Sequence, residues 1–294
     1  MHGVGTNITT GEGRTLVITG ASTGIGAACA VHFARRGFTV FAGVRRAQDG
    51  EALKRQAPSG LIPLLLDVTD AASIRQASAV VQERVGVFGL SGLVNNAGIA
   101  VAGPLEAVPM ADWRRQFEVN VLGQVAVTQA FLPLIRQGRG RIVNMGSIAG
   151  RAATPFIGPY SASKHALEAI TDALRLEVRS WGIHVSIVEP GAIATPIWDK
   201  SSRRTADLEA TSPADLTQLY AGAVVGVKEA FTKAAARAVP PDAVVRAVEH
   251  ALTAPRPKTR YLVGFDAKLR ALMVKLLPDR AADWLMIRLL KLPR

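Results

Sequence analysis

The sequence predicts an α/β fold, a parallel sheet covered on both faces by helices, and three observations carry that expectation. Short apolar runs rich in β-branched residues alternate with longer helical stretches between residues 16 and 195. A glycine-rich turn joins the first run to the first helix. The conspicuous polar residues fall where strands end, which is where open parallel sheets bind ligands.

In chain order, residues 16–19 (LVIT) form the first strand, and Gly20, Ser22, Thr23, Gly24, Ile25 and Gly26 belong to the turn that follows. Strand, glycine turn and helix together aim backbone N–H groups at a diphosphate. The spacing is Gly-x-x-x-Gly-x-Gly, so the common Gly-x-Gly-x-x-Gly dinucleotide fingerprint is not matched. Residues 38–43 are the second strand. An acid at its end would hydrogen-bond the ribose hydroxyls of NAD, but this chain has Arg45 and Arg46 there. Two guanidiniums can clamp a 2′-phosphate, which favours NADP(H) over NAD(H).

Residues 61–66 are the third strand, ending in Asp67 and Val68. Asp67 is placed either to accept from an adenine amino group or to cap the helix that begins near Asp70. After a helix over 72–85 and a fourth strand over 90–94 come Asn95, Asn96, Ala97 and Gly98. Asn95 reads as a structural amide pinning neighbouring strand ends, and Gly98 lets backbone approach a ribose. Residues 113–137 read as one or two helices interrupted near Asn120. Its buried amide either sits in a kink that frees a carbonyl for water or is a satisfied core group.

The fifth strand (141–144) leads to Ser147, and a helix over 160–181 opens with Tyr160-Ser-Ala-Ser-Lys164. Tyr160 and Lys164 share a helical face. At about 5 Å and an effective dielectric near 20, an ammonium favours the phenolate by about 3 kcal/mol, or about two pKa units. The sixth strand (184–188) leaves through Pro190, Gly191, Ile193 and Thr195, and a last strand is expected over 261–264.

Composition bounds the alternatives. The chain has 294 residues, 49% of them hydrophobic, enough for one large core. Residues 1–13 read as a flexible tail without the apolar core of a secretion signal. With one cysteine, Cys29, no intrachain disulfide forms, and no metal-ligand spacing occurs. A reducing cytoplasm is the default expectation. The net charge is +12, and the last forty residues, with ten Lys/Arg against three Asp, hold more than half of it. That basic end suits solvent, an anionic membrane surface or, last in order, nucleic acid.

The glycine turn, Asn-Asn-Ala-Gly, Ser147, Tyr-x-x-x-Lys and Pro-Gly stand in the order and spacing of the short-chain dehydrogenase/reductase family, which the chain resembles over residues 14–195 and again near 261. The resemblance implies a doubly wound Rossmann fold with a parallel seven-stranded sheet. It also implies a catalytic tetrad of Asn120, Ser147, Tyr160 and Lys164. In that scheme Tyr160 is the acid/base, Ser147 polarises the carbonyl, Lys164 also holds the nicotinamide ribose and Asn120 positions a water. Ser22, Ile25, Asp67, Val68 and Asn96 match cofactor-lining positions, and Ile193 and Thr195 match those that grip the carboxamide.

The domain expected over 14–265 includes a substrate lid at 196–238 and is followed by a basic, amphipathic helical extension at 266–294. This extension resembles those of retinol and hydroxysteroid dehydrogenase relatives, implying a small lipophilic alcohol or ketone as substrate. Packing over the cleft is its first reading and peripheral membrane contact its second. A homodimer or homotetramer is expected. The competing function is an NADPH-binding sensor that keeps the fold without turnover.

Overall fold

Alternating burial along the strands sets the architecture. In the first strand, β1 (Thr15–Ile18), Leu16 and Ile18 enter one apolar cluster while Val17 enters another on the opposite face. The same alternation separates Val40, Ala42 and Val44 from Phe41 in β2 (Thr39–Val44). A two-residue period with both sides apolar belongs to a sheet covered on both faces. The computed structural model describes residues 13–57, 59–198, 201–202, 206, 210 and 213–293.

The remaining strands are β3 (Leu61–Leu65), β4 (Gly92–Asn95), β5 (Arg141–Met145), β6 (His184–Pro190) and β7 (Arg260–Val263). All pair in parallel, in the order β3-β2-β1-β4-β5-β6-β7. The chain reverses its direction of strand addition between β1 and β4, so the crevice for a ligand opens at their carboxyl ends.

Helices α1 (Gly24–Arg35) and α2 (Ala47–Lys54) follow the first two strands, and α3 (Ala71–Val85) follows the third. Asp70 caps α3 through Ala72 N–H at 2.8 Å, so the capping alternative considered for Asp67 falls to its neighbour. Helix α2 was absent from the sequence expectation. It is short and polar with Gly50 in its middle, and a Cβ at that glycine would press on Pro63.

Helix α4 (Met110–Phe117) passes through a wider π-type turn at Glu118–Leu122 into α5 (Gly123–Gln137). The interruption expected near Asn120 is therefore a π-turn, not a break in the chain's direction. Met110–Gln137 is long and apolar enough to cross a membrane, but half of its most apolar window is buried inside the fold, as in a core helix.

Helix α6 (Gly158–Glu177) starts with Pro159 in its first turn and stops four residues earlier than expected, the chain tightening into a 3₁₀ turn at Arg179–Trp181. Helices α7 (Ala214–Ala236) and α8 (Asp242–Thr253) follow, then α9 (Phe265–Leu276) and α10 (Asp279–Leu289). The tail assigned to residues 1–13 lies outside the described residues except for Gly13, as does much of 199–212 within the expected lid.

The extension is tied into the fold. Asp266 accepts from Ala192 N–H at 2.7 Å, and a Cβ on Gly191 would run into that carboxylate. Ala267 and Ala271 pack on Ile148 and Ala152, and Arg270 donates to Ala152 O at 2.9 Å. The inner side of α9 therefore packs on the loop that follows Ser147. The outer side leaves Phe265, Leu269, Leu272 and Leu276 exposed.

Candidate active site

The turn after β1 and the loop after β4 touch. A Cβ on Gly20, whose φ is +64°, would lie 2.7 Å from Ala97 Cα. Gly24, at φ +61°, faces the Thr195 side chain, so the segment leaving β6 closes over the same turn. A Cβ on Gly26 would run into Asn96 Nδ2 and Gly20 O. These glycines leave a cradle of bare backbone at the start of α1, which fits a dinucleotide diphosphate.

Asn96 holds that cradle's shape. Its Nδ2 donates to Thr19 O at 2.9 Å and Gly20 O at 3.1 Å. Thr19 Oγ1 in turn accepts from the N–H groups of Asn96 and Ala97, each at 3.0 Å. The Asn96 amide therefore serves the turn itself. Asn95 is structural, as its residue type suggested: Nδ2 donates to Thr128 Oγ1 and Asn144 Oδ1, both at 2.9 Å.

At the end of β2, the expected arginine pair is not assembled. Arg46 makes a bidentate bond to Asp49, with both contacts at 2.9 Å, because the two are one helical turn apart at the start of α2. Arg45 is exposed and makes no ion pair among the described residues. The clamp thus reduces to one free guanidinium. Asp67 Oδ1 is committed to Thr69, accepting from its N–H at 2.9 Å and its hydroxyl at 2.7 Å.

Ser147 and Tyr160 are both buried, and the Ser147 hydroxyl lies close enough to the phenol to act on its ionisation. Ser147 Oγ accepts from Ala149 N–H at 3.1 Å, which fixes its rotamer. The loop after Ser147 reaches α6 because Gly150 has no side chain; a Cβ there would sit 2.8 Å from Lys164 O. Lys164 is buried, with Nζ donating to Met145 O at 2.6 Å and lying 5.8 Å from the centre of the Tyr160 ring.

Burial reverses the expectation for the phenol. Desolvation raises the Tyr160 pKa above the ordinary value, and the nearby Ser147 hydroxyl opposes it only in part. The Lys164 ammonium, expected to pull the phenol down, is bound to a carbonyl on the strand side and is itself weakened. Burial lowers its pKa to about 8, against the pull of Glu168.

Asn120 lies within the π-turn, fully buried. Its Oδ1 accepts from Ile99 N–H at 2.9 Å, and its Nδ2 donates to Ile99 O and Ser163 Oγ at 3.0 and 3.2 Å. The second of its two readings therefore describes the side chain, a satisfied core amide set in a π-type turn. Gln116, overlooked in the sequence, shares the work by bonding Val101 N–H and Ile99 O. Only its burial on a polar helix marks it.

The exposed side of Tyr160 is closed by apolar groups. Ala100, Ala149 and Ile157 are buried with it, and Ile197, Trp198 and Phe231 pack against them. Trp198 meets Tyr160 edge to face at 6.0 Å between centroids, and Phe231 backs Trp198 at 5.6 Å. Tyr220 on α7 bonds Glu106 at 3.0 Å, tying α7 to the loop before α4.

A seven-stranded parallel sheet with a glycine cradle at its switch point, beside a buried Ser-Tyr-Lys group, defines a dinucleotide-binding α/β protein. The family model for short chain dehydrogenase matches residues 14–206, and the chain belongs to this family as an oxidoreductase acting on CH–OH groups. It is of the retinol and hydroxysteroid dehydrogenase type. Retinol dehydrogenase 5 of Mus musculus is 39% identical over 289 residues, covering 95% of this chain and 89% of that protein. The NADPH-dependent 3-dehydrocapnine reductase of Ornithobacterium rhinotracheale is 36% identical over 283 residues, covering 95% and 98%. A crystal structure of a short-chain dehydrogenase/reductase from Burkholderia phymatum in complex with NAD superposes with a TM-score of 0.74 at 26% identity, covering 90% of this chain and 95% of that one.

Proposed function

We propose that the chain interconverts a lipophilic alcohol and its ketone or aldehyde with NADP(H), Tyr160 acting as acid/base. The observation that carries this reading is the placement of the Tyr160 hydroxyl. Tyr160 lies beside the Ser147 hydroxyl in a buried apolar group with Ala100, Ala149 and Ile157, against which Trp198 and Phe231 pack. A carbonyl oxygen entering there would meet two hydroxyls and shed its water.

When bound, the reduced nicotinamide supplies the hydride. Tyr160 donates its proton to the oxygen that becomes the alcohol, and Ser147 holds that oxygen by donating a second hydrogen bond. Because burial keeps the phenol protonated at neutral pH, Tyr160 is ready as an acid for reduction. Lys164, two-sided between Met145 O and the phenol face, supplies a positive charge that favours any charge developing on the phenol oxygen. The glycine cradle and the N-terminus of α1 would hold the diphosphate.

The relatives divide on the nucleotide, one named for NADPH and one holding NAD. Arg45 favours NADP(H), since a free guanidinium can pair with a 2′-phosphate and no acid stands at that strand end. Arg45→Ala is expected to weaken NADPH binding by about tenfold, the loss of one charge-assisted hydrogen bond, and to leave NADH within about twofold. Titration of both nucleotides into both proteins checks this. Equal losses for the two would contradict the assignment. A panel pairing bulky apolar with short-chain alcohols and ketones tests the substrate class, with preference for the bulky members expected; binding of NADPH without turnover of any member would favour the sensor reading.

A further inference from the structure

Behind Lys164, away from the phenol, lies a cluster of charged side chains that the reaction as described does not use. Glu168 is four residues beyond Lys164 on the same face of α6, and it shares Arg260 with Glu189 from β6. Glu189 is fully buried and Glu168 nearly so. Arg260 of β7 donates to Glu168 Oε2 at 3.2 Å and to Asp172 Oδ2 at 2.6 Å. Arg151, four residues past Ser147, lies 3.4 Å from Glu189 Oε2.

One oxygen on each glutamate, Oε1, is buried and reached by no donor. Arg260 Nε approaches Glu189 Oε1 to 3.3 Å without the alignment of a hydrogen bond. The two carboxyl groups act directly on each other, and both reach Arg260. Ionised carboxylates are acceptors only, so a proton shared between the two would satisfy both orphan oxygens.

We propose that Glu168 and Glu189 share one buried proton and together hold Lys164 in its ammonium form, which makes Glu168 a positioning residue for the Tyr160 chemistry. This rests on the enzymatic reading above for its consequence, though not for its physics. Burial and the neighbouring Glu189 charge raise Glu168 to about 7, against the pull of Arg260 and Arg151. Below that range the pair carries one negative charge. Above it the shared proton leaves to solvent and the pair carries two. Burial alone would strip Lys164 at a lower pH, and the charge on Glu168 holds its proton up to about pH 8.

The other charged groups around the pair are accounted for. Asp172 and Arg175 on α6 bond each other at 2.5 Å, and Tyr160 faces the cleft. From α9, Arg270 is turned to Ala152 O and Thr154, and Asp266 to Ala192 N–H. His165, beside Lys164 on α6, turns its ring to Ser161 O at 2.9 Å.

The test is a ¹⁵N NMR titration of the Lys164 ammonium in wild type, Glu168→Gln and Glu168→Asp, run beside the pH profile of kcat. Glu168→Gln keeps the shape and removes the charge. Lys164 is expected to lose its proton at a pH lower by roughly one unit, and the alkaline limb of ketone reduction to move with it. Glu168→Asp should restore much of both. An unmoved Lys164 titration overturns the proposal whatever the rates do, and so does a lower melting temperature with both profiles unchanged. Glu189→Gln removes the same shared proton and serves where Glu168→Gln does not fold. A shifted lysine in a chain that turns over no substrate would uphold the pair and refute the enzymatic reading.

Discussion

Tyr160→Phe lowers turnover by about 10²–10⁴-fold, the range lost with a general acid/base, while NADPH affinity changes by less than about threefold. The substitution deletes one oxygen and leaves the ring in the box formed by Ile157, Trp198 and Phe231, so packing survives. What disappears is the proton donor beside the Ser147 hydroxyl. Stopped-flow or steady-state rates, with nucleotide affinity measured by calorimetry, check both halves. The wild-type pH dependence has a definite sign. Burial raises the phenol, so alcohol oxidation, which needs Tyr160 to accept a proton, speeds up as pH rises. Ketone reduction falls once Lys164 loses its charge, near pH 8. A rate that survives in Tyr160→Phe would remove the phenol from the chemistry.

Gly26→Ala is the second large effect, and it acts through shape. The added methyl would run into Asn96 Nδ2 and Gly20 O, which already hydrogen-bond to each other across the turn. Nothing there is the free end of a flexible side chain, so the backbone of the cradle must open. The expected cost is about 1–3 kcal/mol of stability, as for overpacked interior sites. At roughly 2–4 °C per kcal/mol, that lowers the melting temperature by several degrees. Affinity for either nucleotide should fall more than tenfold, because the N–H groups at the start of α1 no longer converge on one diphosphate. Thermal melts and nucleotide titration read the two effects separately. Unchanged affinity for both nucleotides would show that this turn does not hold the diphosphate.

The parts of the molecule legible in the sequence were those written in short range. Leu16 to Ile18 announce a strand by composition, Gly20 to Gly26 a tight turn, and Tyr160 and Lys164 a shared helical face by spacing alone. Helix α2 was missed because its stability comes from lying on β2 and β3, with Gly50 seated against Pro63, rather than from an apolar stripe. The Arg46 clamp failed for a local reason: Asp49, three residues on, captures the guanidinium once α2 forms.

The phenol's pKa was misjudged in sign. The sequence places an ammonium near Tyr160, but only the fold shows how completely both groups are taken from water and that Lys164 Nζ is held by Met145 O. Glu168 and Glu189 lie 21 positions apart in the sequence and share Arg260 only because α6 packs on β6. Pairings of that kind have no signature in the chain.

The central claim is that Tyr160 faces a site where a carbonyl is reduced at the expense of NADPH. The most direct measurement uses NADPH carrying deuterium at both C4 positions of the nicotinamide, with a bulky apolar ketone and mass analysis of the product. One deuterium on the carbinol carbon in wild type, and almost none with Tyr160→Phe, is the predicted result. Nucleotide bound by the wild type with no label in any product would contradict the account.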